Sequence, residues 1–281
     1  MPDLIHQSIS HSAQLKPSAS ALLFKDQIFT YSQLQHNVEQ VASALLGLGI
    51  EAGERVAVYL PTQPETVFSL FGAAAAGACF VPINPLLKSH QVAHILTHCG
   101  AKVLITSAAR LALLLRILHT CPDLHTITLV EDLVPEAATS IPQRLMGYTE
   151  FCHLSGGNLA PHRRVDTDMA AILYTSGSTG NPKGVVLSHR NMVAGAHSVT
   201  GYLGNSSADR VLAVLPLSFD AGLSQLTTAF SVGASVILMD YLLPRDVLRA
   251  LVRYGITGFA AVPSLWNQLK ELEWPAQAAQ S

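Results

Sequence analysis

Residues 169–187, MAAIL-YTSGSTGNPK-GVVL, place a short polar loop between two apolar runs. Hydroxyl groups can donate to phosphate oxygens, and glycines let backbone N–H groups approach an anion without a Cβ in the way. A lysine at the end of the loop supplies a compact positive charge. We therefore predict a polyphosphate-binding loop between two buried strands. The predicted nucleotide ligands are Thr175, Ser176, Gly177, Ser178, Thr179, Gly180 and Lys183.

The spacing of glycine and lysine separates this loop from two common phosphate-binding motifs. A Walker loop has its lysine directly after the last glycine, whereas two residues separate Gly180 from Lys183 here. The order G-x-G-x-x-G of dinucleotide sites is also missing from the loop. Residues 181–184, NPKG, predict a type I turn with Lys183 at its third position. A flexible glycine–serine linker is the alternative, but a linker needs neither flanking strands nor a lysine next to a proline.

Apolar runs alternate with helical patterns along most of the chain. Thr30 and Gln33 form a capping-box pattern ahead of a helix with regularly spaced apolar residues. Runs such as RVAVYL at 55–60 are apolar throughout, which is typical of parallel sheets covered on both faces. We predict an α/β fold of two stacked sub-domains, each a mostly parallel sheet covered by helices. The predicted sub-domains are residues 1–165, with 131–165 as a connecting segment, and residues 166–281.

Composition excludes several classes of protein. The chain has 281 residues, of which 49% are hydrophobic, enough for a large core. Its net charge of -2 gives no basic surface for nucleic acid. Four widely spaced cysteines without a C-x-x-C pair argue against a disulfide framework or zinc site. The N-terminus does not resemble a signal peptide, and the apolar stretch 66–83 is interrupted by polar residues. We expect a cytoplasmic protein without a membrane span.

Some histidines invite a functional interpretation. His90, His94 and His98 are spaced four residues apart in a predicted helix over 89–99, which suggests a metal site. They lie opposite the apolar stripe of that helix, so we favour a solvated face, and no residue is assigned as a metal ligand. His189 could begin a helix or form a distant wall of the site, and we favour the structural role.

The stretch YTSGSTGNPKGVVLSH at 174–189 resembles the phosphate-loop signature of the adenylate-forming enzymes. This superfamily contains acyl-CoA synthetases, peptide-synthetase adenylation domains and luciferases. Three further stretches resemble other motifs of the family: FTYSQL at 29–34, GAAAAGACFVPINP at 72–85 and PLSFDAGLSQ at 216–225. The resemblance runs from about residue 20 to the end of the chain. Residues 209–272 resemble, less closely, the AMP-forming acyl-CoA ligases found with bacterial exosortase systems.

The resemblance implies a two-step, AMP-forming ligase. A small carboxylic acid attacks the α-phosphate of Mg²⁺-bound ATP, and the acyl group then passes to coenzyme A or to the phosphopantetheine of a carrier protein. An anion meets a polyanion in the first step, so the site must neutralise charge. The resemblance therefore implies that Lys183 is the catalytic residue. It also implies substrate contacts by Phe219, Asp220 and Gly222.

Asp220 has two interpretations. It precedes an apolar helix and could be the N-cap. In amino-acid-activating relatives, an Asp after an aromatic residue in this motif is similar to the residue that binds the substrate's α-amine, whereas Phe219 suits acyl-CoA ligases as well.

The resemblance also implies that adenine-binding, ribose-binding and C-terminal lid regions lie outside this sequence. We therefore expect the truncated N-terminal region of the fold. The hypotheses are an acyl-CoA ligase fragment, an amino-acid adenylation fragment serving a carrier protein, and a non-catalytic phosphate-binding remnant.

Overall fold

The computed structural model describes residues 2–132, 141–154, 160–175 and 182–275, in which strands and helices alternate. In chain order the strands are β1 (Ser20–Phe24), β2 (Gln27–Thr30), β3 (Arg55–Tyr59), β4 (Cys79–Pro82), β5 (Ala101–Thr106), β6 (Thr126–Leu129), β7 (Arg144–Gly147), β8 (Met169–Thr175), β9 (Lys183–Ser188), β10 (Arg210–Ala213), β11 (Ser235–Leu238) and β12 (Gly258–Phe259). The helices are α1 (Gln7–Leu15), α2 (Tyr31–Gly47), α3 (Pro64–Ala76), α4 (Ser89–Cys99), α5 (Ala108–Leu114), α6 (Tyr148–His153), α7 (His189–Leu203), α8 (Asp220–Val232), α9 (Pro244–Tyr254) and α10 (Pro263–Leu269).

The strands form two mostly parallel sheets, as predicted. The first sheet has seven strands in the order β7-β6-β5-β3-β4-β8-β9, and only the β8–β9 pair is antiparallel. The second has five strands in the order β12-β10-β11-β1-β2, and only the β1–β2 pair is antiparallel. The capping box of α2 is also confirmed. The Thr30 hydroxyl accepts from the Gln33 N–H at 3.2 Å, and the Gln33 side chain accepts from the Thr30 N–H at 2.9 Å.

Alternating residues of the strands direct side chains into separate cores. Val56 and Val58 of β3 belong to a core that also contains one face of the second sheet and helices α2, α3 and α8. Ala57 and Tyr59 point the other way, into a core formed with α4 and α5. A third core packs α9 and α10 against the far face of the second sheet. This alternation explains why the strands are apolar throughout, because both faces of each sheet are covered.

The division of the chain between the sheets differs from the predicted boundary at residue 165. Strands β8 and β9, residues 169–188, complete the first sheet rather than beginning the second. The N-terminal hairpin β1–β2 instead joins the second sheet, where Leu22 pairs with Val236 of β11. The order of elements along the chain could not show this, because strand pairing depends on contacts between distant residues.

Two elements are short. Helix α5 ends at Leu114 and is followed by a 3₁₀ turn, Leu118–Thr120. Strand β12 has only two residues, Gly258–Phe259. Among the described residues, no helix combines the length and the apolar character that crossing a membrane requires.

Candidate active site

The predicted phosphate loop joins the antiparallel strands β8 and β9. Thr175 lies opposite Lys183 in this pair, and both side chains are exposed. Since β8 runs parallel to β4, Thr175 at the end of β8 lies at the edge where the parallel strands of the first sheet end. That edge is where open parallel sheets bind ligands. The other predicted ligands, which lie outside the described residues, are Ser176, Gly177, Ser178, Thr179 and Gly180.

Lys183 is the first residue of β9. Its predicted place in a turn cannot be compared directly, because Asn181 lies outside the described residues. No carboxylate of the described residues forms an ion pair with the Lys183 ammonium group, so its charge is available to an anion. The prediction that this second strand is buried was wrong. Val185 and Val186 are 45% and 60% exposed, because β9 is the last strand of the sheet.

The histidine face of α4 is partly solvated, as predicted, because His90 and His98 are exposed, but His94 is half-buried and two of the rings contact the β8–β9 hairpin. The His94 Nε2 lies 3.1 Å from the carbonyl oxygen of Pro182, which precedes β9. The His98 Nδ1 lies 2.6 Å from the Tyr174 hydroxyl, in β8. His90 is exposed and makes no hydrogen bond to the described part of the chain, whereas His98 is exposed but bonded to Tyr174. The spacing placed all three rings on one face correctly, but the sequence carried no signal that the hairpin packs there.

Tyr174 also packs against the strand that carries Lys183. A Cβ at Gly184 would lie 2.8 Å from the Ile172 Cγ2 atom and 3.2 Å from the Tyr174 Cζ atom. These distances are too short for ordinary packing, so the ring and the Ile172 side chain occupy the space that any larger residue at 184 needs. Gly184 therefore allows the two strands to approach next to Lys183.

The second predicted group of site residues follows β10. Phe219, not Asp220, has the extended N-cap conformation of α8, so the N-cap interpretation of Asp220 was wrong. Asp220 is the first residue within the helix. A carboxylate there is favoured by the partial positive charge of the helix N-terminus. Its side chain makes no hydrogen bond to another described residue, which leaves it able to bind a ligand.

Phe219 and Asp220 face different cavities. Phe219 lines a cavity of about 450 Å³ together with Tyr241 and Val262. Asp220 lines a cavity of about 160 Å³ between α7 and α8, with Asn191 and Ser224. Both cavities are mainly apolar, and each contains one carboxylate, Asp240 in the larger and Asp220 in the smaller. The predicted substrate contacts therefore do not converge on one point in the described residues.

Gly222 lies at a close approach of two backbone segments. A Cβ at this position would lie 2.0 Å from the carbonyl oxygen of Pro216 and 2.9 Å from that of Leu215. Gly222 also borders the larger cavity beside Phe219. The glycine thus allows the first turn of α8 to pack directly on the segment that follows β10.

The sheets meet at a smaller cavity, of about 120 Å³, that sequence reasoning missed. It is lined by residues at the carboxyl ends of strands from both sheets, including Pro82, the last residue of β4, and Pro216 after β10. Arg110 and Thr62 contribute polar groups to it. Ser218 also lines it, and the buried Ser218 hydroxyl has no hydrogen-bond partner among the described residues. The motif PLSFDAGLSQ contains this serine, but nothing in the pattern distinguished it.

His189 begins α7, as expected, and is fully buried. Its Nδ1 accepts the backbone N–H of Ile5 at 3.2 Å, which joins the N-terminal segment to α7. The pKa of His189 is lowered to about 4, mainly by burial and also by the charge of Arg164, while Asp168 opposes the shift. Burial and the neighbouring His189 likewise lower the pKa of His6 to about 4. These histidines are neutral structural residues at pH 7.

Comparison with known proteins identifies relatives of two kinds. Tyrocidine synthase 3 of Brevibacillus parabrevis is 27% identical over 269 residues, which are 94% of this chain and 4% of that protein. Crotonobetaine/carnitine–CoA ligase of Proteus mirabilis is 29% identical over 264 residues, which are 92% of this chain and 50% of that ligase.

A solved structure shows the same fold. The anthranilate CoA ligase AuaEII, in complex with anthranoyl-AMP, matches with a TM-score of 0.88 at 27% identity, over 97% of this chain and 52% of that one. The chain thus spans about half the length of the CoA ligases that it matches. A model of the family described as "AMP-binding enzyme" matches residues 9–281, and the chain therefore belongs to the AMP-binding enzyme family.

Proposed function

We propose that the protein is an AMP-forming acid–thiol ligase of the acyl-CoA synthetase type, and that this chain supplies its phosphate site and part of its acid site. The observation that carries the proposal is the position of Lys183. Its exposed ammonium group lies opposite Thr175 at the end of the β8–β9 hairpin and has no ion-pair partner among the described residues. Its unpaired charge beside hydroxyl groups, at the ligand-binding edge of a parallel sheet, suits a polyphosphate.

Two reactions follow one another in this proposal. A carboxylate oxygen of the acid attacks the α-phosphorus of ATP, the bond to the β-phosphate oxygen breaks, and pyrophosphate leaves. A thiol then attacks the acyl carbon, and AMP leaves. Lys183 and the hydroxyls of Thr175, Ser176, Ser178 and Thr179 would stabilise the negative charge on the phosphates, while Gly177 and Gly180 give backbone N–H groups access to them.

Magnesium would enter this site with ATP, where it neutralises part of the phosphate charge. In the described ranges, no group of three or more His, Cys, Asp or Glu side chains could hold a metal ion. We therefore assign no residue of this chain as a magnesium ligand. The acyl acceptor is coenzyme A or the phosphopantetheine of a carrier protein. We place the reaction in the cytoplasm, where ATP and these thiols are available.

The position of Asp220 favours a carboxylic acid that also carries an amine. Its carboxylate is not used as a helix cap and lines a cavity in which Asn191, Ser224 and Thr227 supply the other polar groups. The Asp220 side chain is exposed, so a substrate ammonium group can reach its carboxylate and pair with it, whereas a purely aliphatic acid has no group for this contact. Phe219 and Gly222 border the neighbouring cavity, which we assign to the rest of the acid.

ATP–pyrophosphate exchange in the full-length protein, measured with a panel of acids, tests the role of Lys183. We expect Lys183→Ala to slow the exchange by about 10- to 100-fold, because a charge-assisted hydrogen bond contributes about 1.5–3 kcal/mol. Lys102→Ala is the matched control. Lys102 lies near the amino end of β5 in the same sheet and pairs with Asp123, whereas the loop follows the carboxyl end of β8. This variant therefore removes the same charge at the opposite end of the strands. Equal exchange rates in the Lys183 and Lys102 variants would refute the assignment.

The nature of the acid is tested with Asp220→Asn, which keeps the shape of the side chain and removes its charge. We expect exchange driven by amine-bearing acids to fall by at least about tenfold, while exchange driven by simple carboxylic acids changes little. An equal loss for both classes of acid would contradict amine recognition by Asp220. A full-length protein that binds MgATP but exchanges no pyrophosphate with any acid would support the non-catalytic alternative.

A further inference from the structure

Helix α4 contacts the β8–β9 hairpin on both sides of the predicted phosphate loop. His94 reaches the Pro182 carbonyl, directly before Lys183, and His98 reaches the Tyr174 hydroxyl, directly before Thr175. The two imidazole rings stack on each other, with centroids 5.4 Å apart and planes 28° apart. The His98 ring then meets the Tyr174 ring edge-on at 5.7 Å. These contacts connect α4 to the end of the hairpin that carries the loop.

The donors and acceptors in the His94–Pro182 and His98–Tyr174 hydrogen bonds follow from the chemistry of the groups. A carbonyl oxygen only accepts, so the His94 Nε2 carries the proton and donates to Pro182. Burial raises the pKa of the Tyr174 phenol well above its ordinary value, so this group keeps its proton. The phenol can therefore donate to the His98 Nδ1 as acceptor.

The hairpin needs support from outside its own strands. Strand β9 is the last strand of the first sheet, and its outer edge has no strand partner among the described residues. The backbone hydrogen bonds to β8 thus hold β9 from one side only. The Tyr174 ring adds a second restraint, since it packs on Gly184 next to Lys183. Whatever fixes Tyr174 and Pro182 therefore also fixes the backbone on either side of Lys183.

We propose that His94 and His98 are positioning residues of the phosphate site, which clamp Pro182 and Tyr174 and thereby hold Lys183 opposite Thr175. This inference rests on the proposed role of Lys183 in binding ATP. The two histidines act through the hairpin backbone and the tyrosine ring. A shift of about 1 Å in a catalytic group can cost about 100-fold in rate, so a clamp at this place matters for function.

Two measurements on the full-length protein test the clamp: the affinity for MgATP, by titration calorimetry, and amide hydrogen exchange in β9. We expect His94→Ala and His98→Ala each to weaken MgATP binding by about two- to tenfold, which corresponds to the loss of one hydrogen bond. Each variant should also speed amide hydrogen exchange in β9. His90→Ala is the matched control, because His90 lies on the same face of α4 one turn earlier and is exposed. It should change neither measurement.

Conservative variants separate the hydrogen bonds from the bulk of the rings. His94→Gln places an amide N–H near the position of Nε2, and His98→Asn places an amide oxygen near the position of Nδ1. Both should restore affinity to within about twofold of the parent protein. Tyr174→Phe removes only the hydroxyl group and should reproduce the part of the His98→Ala effect that comes from the hydrogen bond, since His98→Ala also removes the ring contacts with His94 and Tyr174. The double variant of His98→Ala and Tyr174→Phe should bind no more weakly than His98→Ala alone, because that substitution has already removed the hydrogen bond.

The outcomes distinguish this inference from the proposed function. A parent protein that binds MgATP, with alanine variants at 94 and 98 that bind equally well and exchange β9 amides at the parent rate, overturns the clamp and leaves the role of Lys183 standing. Additive effects of His98→Ala and Tyr174→Phe also overturn it. A parent protein that does not bind MgATP refutes the proposed function, while hydrogen exchange in β9 still decides whether the histidines hold the hairpin.

Discussion

His189 should make the folded protein less stable as the pH falls from 7.5 to 5. Its ordinary pKa is 6.5, and burial in the folded protein lowers that pKa to about 4. Between pH 4 and pH 6.5, the unfolded state therefore binds more protons than the folded state. The free energy of unfolding rises with pH through this window and becomes independent of His189 above it. The ring is fully buried, so solvent does not screen this effect.

The size of the effect follows from the two pKa values. At pH 5 the imidazole of an unfolded chain is almost fully protonated, whereas the folded protein keeps His189 mostly neutral. With one pKa unit equivalent to about 1.4 kcal/mol, His189 removes about 2 kcal/mol of stability between pH 7.5 and pH 5. His6 is shifted in the same direction, partly by His189 itself, so its contribution adds to this value.

The variant His189→Asn tests this reasoning. The amide oxygen of asparagine can still accept the N–H of Ile5, but the side chain no longer titrates. Urea unfolding at pH 7.5, 6.5, 5.5 and 5.0 should show that the variant loses about 2 kcal/mol less than the parent protein across this range. His11→Asn is the control, because the His11 side chain is exposed to water on helix α1, and it should follow the parent curve. Parallel curves for the parent and His189→Asn would refute the reasoning from burial.

Three further substitutions test local packing and capping. Gly222→Ala should destabilise the protein by at least about 3 kcal/mol in urea unfolding, since its Cβ would overlap the Pro216 carbonyl oxygen and backbone atoms cannot rotate away. Gly184→Ala should cost about 1–3 kcal/mol and, by displacing Tyr174, speed amide exchange in β9; unchanged exchange would contradict the packing at this position. Thr30→Ala should cost about 1 kcal/mol through loss of the α2 capping box, whereas Thr30→Ser should keep most of that stability.

Local features of the fold could be predicted because they depend on neighbouring residues. The capping box at Thr30 and the helix over 89–99 both appear in the structure as predicted, since each follows from side-chain types at fixed spacings. The parallel character of the sheets was also predicted from continuous apolar runs. The assignment of strands to sheets was not, because the pairing of β1 with β11 joins residues more than two hundred positions apart. No spacing in the sequence encodes that contact.

The candidate site shows the same limit. The motif placed Lys183 at the end of a loop between two strands, and in the structure Lys183 is the first residue of the strand that follows the loop. The helix start after β10 was misjudged by one residue, because Phe219 takes the cap conformation although aspartate is the more usual capping residue. The contacts of His94 and His98 were missed entirely. A period of four residues defines the face of a helix, but it does not show which other segment packs against that face.

The arrangement of the two sheets explains why the phosphate and acid motifs can act together. The β8–β9 hairpin belongs to the first sheet, whereas Phe219 and Asp220 follow a strand of the second. One shared core joins the sheets, and in it Phe230 of α8 contacts both Phe71 of α3 and Tyr31 of α2 edge-on. The residues that we assign to the phosphates and to the acid are thus carried by separate sheets, whose relative position depends on this core. The interior of the protein, and not only the loops that touch the ligand, therefore sets the geometry of the site.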